Sequence, residues 1–92
     1  MTAASQYTRS TDASASAVGE RVVLYHRVTR TAIVLNPTGG WMWQRLAEPC
    51  TTADLVRDMQ ERYPSLGPDA AERDVSAFLA DLVKHAMVSV RE

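Results

Sequence analysis

The sequence predicts an α+β domain in which a small antiparallel β-sheet of two or three strands is followed by three α-helices. Residues 20–29 are rich in valine, leucine and tyrosine, which favour a strand. The apolar run at residues 32–35 stops at Asn36 and Pro37, where a helix can begin. Two further amphipathic stretches with capping residues follow. This order is typical of a winged helix-turn-helix.

The strands are predicted within residues 20–35. In the first strand Val22, Leu24 and His26 share one face, and a polar connection at residues 27–31 joins it to the strand at 32–35 as a hairpin. The domain is predicted to span residues 20–92. Residues 1–19 are predicted to be a polar segment, with a loop at 12–17 and a brief strand at 6–10.

The three helices are predicted at residues 37–47, 51–63 and 68–86. Asn36 caps the first, and Thr51 with Asp54 forms a capping-box-like start to the second. Trp43 is expected in the core, whereas Trp41 lies on another face and is left open between core and surface. The apolar face predicted for the third helix consists of Ala71, Val75, Phe78, Leu79, Leu82, Val83 and Ala86.

Composition argues against several classes of function. The 92 residues carry a formal net charge of −1, which gives no general attraction to nucleic acid or anionic membranes. No apolar run approaches the roughly 20 residues that span a bilayer, and the N-terminus lacks the apolar core of a secretory signal. With a single cysteine, Cys50, these features predict a cytoplasmic protein that binds neither nucleic acid nor membrane.

The sequence does not predict an enzyme. A nucleophilic cysteine needs a positioned histidine base, and His26 and His85 are far from Cys50 in the chain, with no motif around either. One cysteine and two scattered histidines do not have the spacing of a metal site, and the pair Gly39–Gly40 alone is not a phosphate-binding loop. No catalytic residue, cofactor or metal is therefore predicted.

The strand at residues 32–35 is the predicted centre of function. Its sequence neighbour lies on one side only, so its other edge is expected to be free. A free edge carries unpaired N–H and C=O groups that can bind an extended peptide as an added strand. On the third helix Asp74, Phe78, Asp81 and His85 follow one flank at helical spacing, beside the apolar face. Taken residue by residue, such a flank is more typical of an ordinary solvated helix surface, because charge on an exposed helix side is the default.

Three segments together resemble the PqqD-like family, also called the RiPP recognition element. They are LNPTGGWMWQRL from Leu35, TTADLVRDMQERYP from Thr51 and DVSAFLADLVKHAMV from Asp74. The resemblance covers roughly residues 20–90 and depends on the order of the segments. Gly39–Gly40 stands where alanine is more frequent in the family, and Ala86–Met87 replaces the usual Gly-Leu.

The resemblance implies a non-catalytic winged helix-turn-helix that holds the leader region of a ribosomally made precursor peptide. The short chain with Asn-Pro-Thr looks most like the lasso-peptide branch, whose partners would be a leader peptidase and a cyclase. The resemblance and the reading of the strand and helix faces together predict these peptide-binding residues: Arg27, Thr31, Ala32, Ile33, Val34, Leu35, Asp74, Val75, Phe78, Asp81, Leu82 and His85.

Three alternatives stay open at this stage. Within the family, the chain could serve a radical-SAM enzyme in pyrroloquinoline quinone biosynthesis. A winged-helix DNA-binding regulator is the rival from another class, although the third helix is more acidic than basic. Pairing of edge strands between two copies is the third, so the oligomeric state is expected to be a monomer or a weak dimer.

Overall fold

The computed structural model describes residues 5–91 and contains six strands and three helices. In chain order they are β1 (Gln6–Arg9), β2 (Ala13–Val18), β3 (Arg21–His26), β4 (Thr31–Leu35), α1 (Pro37–Arg45), β5 (Cys50–Thr51), α2 (Thr52–Arg62), α3 (Pro68–Lys84) and β6 (Val88–Arg91). The predicted order of a sheet followed by three helices is confirmed. The helices end one or two residues earlier than predicted, at Arg45, Arg62 and Lys84.

The first sheet is antiparallel, with strand order β2-β3-β4. Its β2–β3 connection is a two-residue turn in which Gly19 has φ +63, a value that glycine adopts without steric cost. The loop prediction for residues 12–17 was wrong over most of its length, because β2 pairs with β3 in an unbroken register from Ala13 to Val18. A partner strand here outweighs the weak strand propensity of serine and alanine.

The second sheet, in the order β5-β1-β6, was not predicted as such. The two strands predicted within residues 20–35 are present as β3 and β4, and the brief first strand is present as Gln6–Arg9. The prediction of a single sheet was wrong, because this first strand pairs with β5 and β6 in the second sheet. Arg9 ties β1 to α1, because its Nε and Nη2 donate to the Trp43 carbonyl oxygen at 2.9 and 2.6 Å. Its guanidinium also lies 4.8 Å from the centre of the Trp43 ring.

The start of α1 follows directly from the end of β4. The Gly39 N–H donates to Asn36 Oδ1 at 2.8 Å, and Pro37 occupies the first turn, as predicted. Gly40 lets the helix lie against β3, since a Cβ at this position would be 2.9 Å from Val22 Cγ2. Trp43 is buried as predicted, and Trp41 is half-buried, with its ring nearly perpendicular to that of Tyr63.

The ends of α2 and α3 are set by local hydrogen bonds. The capping box at Thr51 and Asp54 is confirmed, with bonds of 3.0 and 3.1 Å. At the end of α3, Ala86 adopts φ +57 while the Met87 N–H donates to the Leu82 carbonyl at 2.8 Å, in a Schellman motif. The predicted apolar face of α3 is confirmed except at its end, because Ala86 is exposed and Val83 is 45% exposed.

The core lies between the sheets and the helices. Its fully buried large side chains are Leu24, Leu46, Leu55, Met59, Val75, Leu82 and Met87. Within residues 5–91, no helix has the length and apolar character needed to cross a membrane.

Candidate functional site

The exposed edge of β4 offers backbone groups at two residues. The Arg27 N–H donates to the Asp12 carbonyl oxygen at 3.0 Å, so the odd-numbered residues of β3 bond to β2. Hydrogen-bonding direction alternates along a strand, so the even-numbered residues of β3 bond to β4. In the observed register their partners are Thr31, Ile33 and Leu35. The N–H and C=O groups of Ala32 and Val34 therefore point away from β3, and no partner for them lies within residues 5–91.

A groove runs beside this edge, between β4, the start of α1 and the middle of α3. It encloses a cleft of about 390 Å³. The cleft is lined by Val34, Leu35, Asn36, Thr38, Gly39, Met42, Asp74 and Phe78. Phe78 is half-buried and forms the wall that α3 contributes, while Asp74 is exposed beside it. A peptide strand at the edge of β4 would thus have an apolar wall on its inner side.

Gly39 lies next to the Phe78 ring. A Cβ at Gly39 would be 3.4 Å from Phe78 Cε1 and 3.3 Å from Leu35 Cβ. The 3.4 Å distance is an ordinary van der Waals contact, so α3 packs directly against the first turn of α1 through Phe78. The groove wall depends on this close contact between the two helices.

A second cleft of about 320 Å³ continues from the first. The two clefts share Thr38 and Asp74. The other residues that line the second cleft are Met59, Tyr63, Ser65 and Leu66, from α2 and the connection to α3. Asp74 is therefore a carboxylate placed between two partly apolar clefts. This arrangement suits a ligand that has a cationic group between apolar groups.

The structure divides the predicted strand residues between two roles. Ala32 and Val34 are exposed, with Val34 at 60%, and they carry the free backbone groups. The side chains of Thr31, Ile33 and Leu35 point toward the core, and only Leu35 of these lines the cleft. Alternation along the strand thus determines which face is open, a point that the sequence had left undecided.

The predicted helix residues are not all in the groove. Asp74 and Phe78 line it, whereas Val75 and Leu82 are fully buried, so any part they play is to hold α3 in place. Asp81 and His85 lie further along α3 and outside the cleft lining. The His85 ring nitrogen Nδ1 is 3.5 Å from Asp81 Oδ1 and 2.9 Å from the Asp81 backbone oxygen.

Arg27 lies in the turn before β4, not in the groove. Its Nε is 2.7 Å from Asp12 Oδ1, and its side chain is 74% exposed. His26 shapes the same turn, because its buried Nδ1 accepts the N–H groups of Val28 and Thr29, both at 3.2 Å. The ion pair and the imidazole together fix the turn that leads into β4.

The first turn of α1 contributes groove residues that sequence reasoning missed. Asn36, Thr38, Gly39 and Met42 line the cleft, and none was predicted to do so. The Asn36 cap was a usable signal, because it places this turn directly after the exposed strand. The contribution of Tyr63 and Leu66 had no such signal, since it depends on how α2 packs.

The Cys50 thiol is not activated as a nucleophile. Burial, with a smaller contribution from Asp54, raises the pKa of the Cys50 thiol, so the thiolate that nucleophilic attack requires is disfavoured. Among residues 5–91, no three potential ligands from His, Cys, Asp and Glu lie close enough to hold a metal ion. Burial also lowers the pKa of Arg9, whose contacts with Trp43 are structural.

A larger cleft of about 740 Å³ lies along α2 and reaches Glu72 of α3. It is lined by Thr52, Ala53, Val56, Arg57, Gln60, Glu61 and Glu72. Helical backbone is internally bonded, and the first turn of α2 is capped by Thr51. This cleft therefore has no strand edge with alternating N–H and C=O groups of the kind that distinguishes the groove beside β4, and size alone does not make it the better site.

Comparisons with known proteins point to one family. The family model described as "Coenzyme PQQ synthesis protein D (PqqD)" matches residues 21–88. A solved structure described as "TbiB1 in Complex with the TbiA(beta) Leader Peptide" is similar at TM-score 0.79 and 26% identity, covering 89% of this chain and 94% of that one. Another, "Lasso peptide synthetase B1 complexed with the leader peptide", has TM-score 0.77 and 23% identity, with 90% and 96% covered. No curated protein matches the chain.

Proposed function

This chain belongs to the PqqD family, and from that premise we propose that it binds the leader region of a precursor peptide in lasso-peptide biosynthesis. The leader is added as a strand along the free edge of β4. The observation that carries the proposal is the pair of outward-facing backbone groups at Ala32 and Val34, next to a groove walled by Phe78. Two similar solved structures, described as complexes with a leader peptide, support it.

Strand addition separates affinity from specificity. The two N–H and two C=O groups of Ala32 and Val34 bond to any extended peptide, because they recognise only backbone. Specificity comes from alternate side chains of the bound strand, which point into the cleft between β4 and α3. The apolar lining at Leu35, Met42 and Phe78 favours large apolar residues in the leader.

Charge sets a second preference. Asp74 lies at the junction of the two clefts, and Asp81 is exposed one turn beyond Phe78. A leader with a lysine or arginine near its apolar anchors would place that charge beside Asp74. Because Asp74 is exposed, this attraction is modest and weakens as salt is added.

The domain acts without catalysis in this proposal, and it presents the bound leader to other proteins. The partners we propose are a leader peptidase and a cyclase, with a radical-SAM enzyme in the pyrroloquinoline quinone branch as the alternative. The winged helix-turn-helix arrangement of the three helices also stays a prediction, which an experimental structure with its leader would test.

The test is a titration of the purified chain with the leader of a precursor encoded beside it, followed by fluorescence anisotropy of labelled peptide. Saturable binding is expected. The matched controls are two versions of the same peptide, one methylated at every odd-numbered backbone nitrogen and the other at every even-numbered one. One of these two peptides is expected to lose binding, because strand addition uses alternate N–H groups. Equal affinity of all three peptides would contradict strand addition, and no saturation at millimolar peptide would contradict leader binding.

Amide hydrogen exchange locates the contact. In the free chain the N–H groups of Ala32 and Val34 are expected to exchange quickly, whereas that of Ile33 is protected by β3. The leader should protect Ala32 and Val34 and leave Ile33 nearly unchanged. Protection at Ala15 and Ala17 instead would place the peptide on the opposite edge of the sheet.

DNA binding has little support from the charges of α3. Asp69, Glu72, Asp74 and Asp81 are exposed on this helix, against only Arg73 and Lys84. Phosphates would be repelled more than held by such a surface. The proposal therefore predicts no retardation of duplex DNA at low salt, where electrostatic binding is strongest.

A further inference from the structure

The opposite edge of the same sheet has free backbone groups as well. Val18, Ser16 and Ser14 of β2 bond to β3, by the same alternation that orients β4. The N–H and C=O groups of Ala15 and Ala17 therefore point outward, and no partner for them lies within residues 5–91. We propose that this edge pairs with the β2 edge of a second copy of the chain, in a weak two-fold dimer.

The β2 edge has none of the features that usually protect an edge strand. Such edges are commonly short, bulged, or marked by lysine or proline. β2 has six residues in continuous register with β3, and its sequence ASASAV contains no charge and no proline. The small side chains let another strand approach along its whole length.

The occupant is inferred from the symmetry of the strand. A two-fold axis perpendicular to the sheet pairs β2 with itself in antiparallel fashion and keeps each face on its own side. Alanines then meet alanines on the inner face, and serines meet serine or valine on the outer face. The paired strands bring no like charges directly opposite each other, because residues 13–18 are uncharged.

The free groups also select the register. The Ala13 N–H already donates to the Ser10 carbonyl oxygen at 3.1 Å. The residues of β2 whose outward N–H and C=O groups are both available are therefore Ala15 and Ala17. The groups of both residues form hydrogen bonds when Ala15 lies opposite Ala17 of the second copy and Ala17 lies opposite its Ala15. Each of these two pairs contributes two hydrogen bonds, which gives four in all. Ser16 then lies on the two-fold axis, opposite its own counterpart.

Room for the second strand exists beneath the edge. A cleft of about 230 Å³ borders β2 on its inner side. It is lined by Arg9, Ala15, Ser16, Ala17, Val22, Gly40, Trp43 and Gln44. In the proposed register the alanine methyl groups of the second copy point to this side. The cleft is small, which suits alanine and disfavours the large anchors expected at β4.

The dimer leaves both β4 edges open. Pairing through β2 produces a six-stranded sheet with the two β4 strands at its outer sides, roughly 24 Å apart at the usual strand spacing. Each copy could therefore hold a leader while paired. A single strand pair is a small interface, so the dissociation constant is expected in the micromolar to millimolar range.

Disulfide trapping tests the register. The two Ser16 residues form a non-hydrogen-bonded pair with a Cα–Cα distance of about 4.5 Å, within the range of disulfides. Ser16→Cys should form a covalent dimer rapidly under mild oxidation. Ser14→Cys is the matched control, because it lies on the same face but about 14 Å from its counterpart in this register. Wild-type chain controls for the buried Cys50. Equal trapping rates for the two variants would overturn the register.

Sedimentation equilibrium tests the dimer itself. The wild-type chain should show a concentration-dependent mass that approaches twice the monomer. Ala15→Pro removes two of the four hydrogen bonds and should weaken the dimer about tenfold or more. A monomer mass at all concentrations up to about 1 mM would overturn the proposal. Leader titration of the same samples is independent, so failure of leader binding and failure of dimerisation are distinguished.

Discussion

The two edges of the β2-β3-β4 sheet carry the same backbone groups but differ in what lies beside them. Beyond β4 the middle of α3 supplies Phe78 and Asp74, and the clefts there are about 390 and 320 Å³. Beyond β2 the cleft is about 230 Å³, with Arg9 and Gln44 in its lining. The comparison teaches that unpaired backbone gives an edge its general affinity for strands. The neighbouring side chains decide which strand it accepts.

The largest expected effect comes from removing one backbone donor on each edge. Val34→Pro deletes an outward N–H and places a ring where the leader must lie, so leader affinity should fall about a hundredfold. The fold should be kept, because proline is tolerated where an edge N–H faces solvent. Anisotropy measures the affinity and thermal melting the stability.

Two matched variants sharpen this result. Val34→Thr keeps the N–H and should bind the leader within about threefold of wild type, since only an exposed side chain changes. Ala15→Pro makes the equivalent change on the β2 edge and should leave leader affinity intact. A loss of leader binding in Ala15→Pro would mean that the two edges have been assigned in reverse.

The groove wall gives the next largest effect. Phe78→Ala should lower leader affinity about tenfold and, because the ring is half-buried beside Gly39, destabilise the chain by about 2 kcal/mol. Val83→Ala, on an exposed position of α3, is the control and should change neither quantity much. Unchanged affinity in Phe78→Ala, measured well below its melting temperature, would remove α3 from the site.

A smaller effect is expected from charge reversal. Asp74→Lys should lower the affinity for a basic leader about fivefold at low salt. The difference in affinity between the variant and the wild type should shrink as salt is added. The melting temperature should change little, because Asp74 is exposed. Glu72→Lys on the same helix faces the cleft beside α2 and serves as the control. Equal losses in both variants would indicate general electrostatic attraction, not a contact at Asp74.

The smallest effect on binding is expected at the end of α3. Ala86→Gly should stabilise the chain by about 1 kcal/mol, because Ala86 has φ +57 and glycine adopts this conformation without steric cost. Leader affinity and dimerisation should both be unchanged, since neither edge contacts this turn. Thermal melting checks the first statement, and a drop in melting temperature would show that the alanine methyl group makes a stabilising contact.

Local patterns accounted for much of the fold and part of the site. Asn36, Thr51 and Asp54 cap the predicted helices, since a cap depends on residues within one turn. The sequence also predicted the exposed strand and two of the α3 residues beside it, Asp74 and Phe78. What failed was the loop predicted at residues 12–17, whose serines and alanines have little strand propensity of their own and form a strand only because β3 is beside them.

The sequence by itself determined the helices, their caps and the strand pair β3–β4, because each is specified by contacts between residues close in the chain. Only the tertiary structure decided the β5-β1-β6 sheet, which joins residues from the start, middle and end of the chain. It also decided which residues of β4 face outward and that the first turn of α1 completes the groove. These features depend on how distant segments pack, and packing is a property of the whole core that no local pattern records.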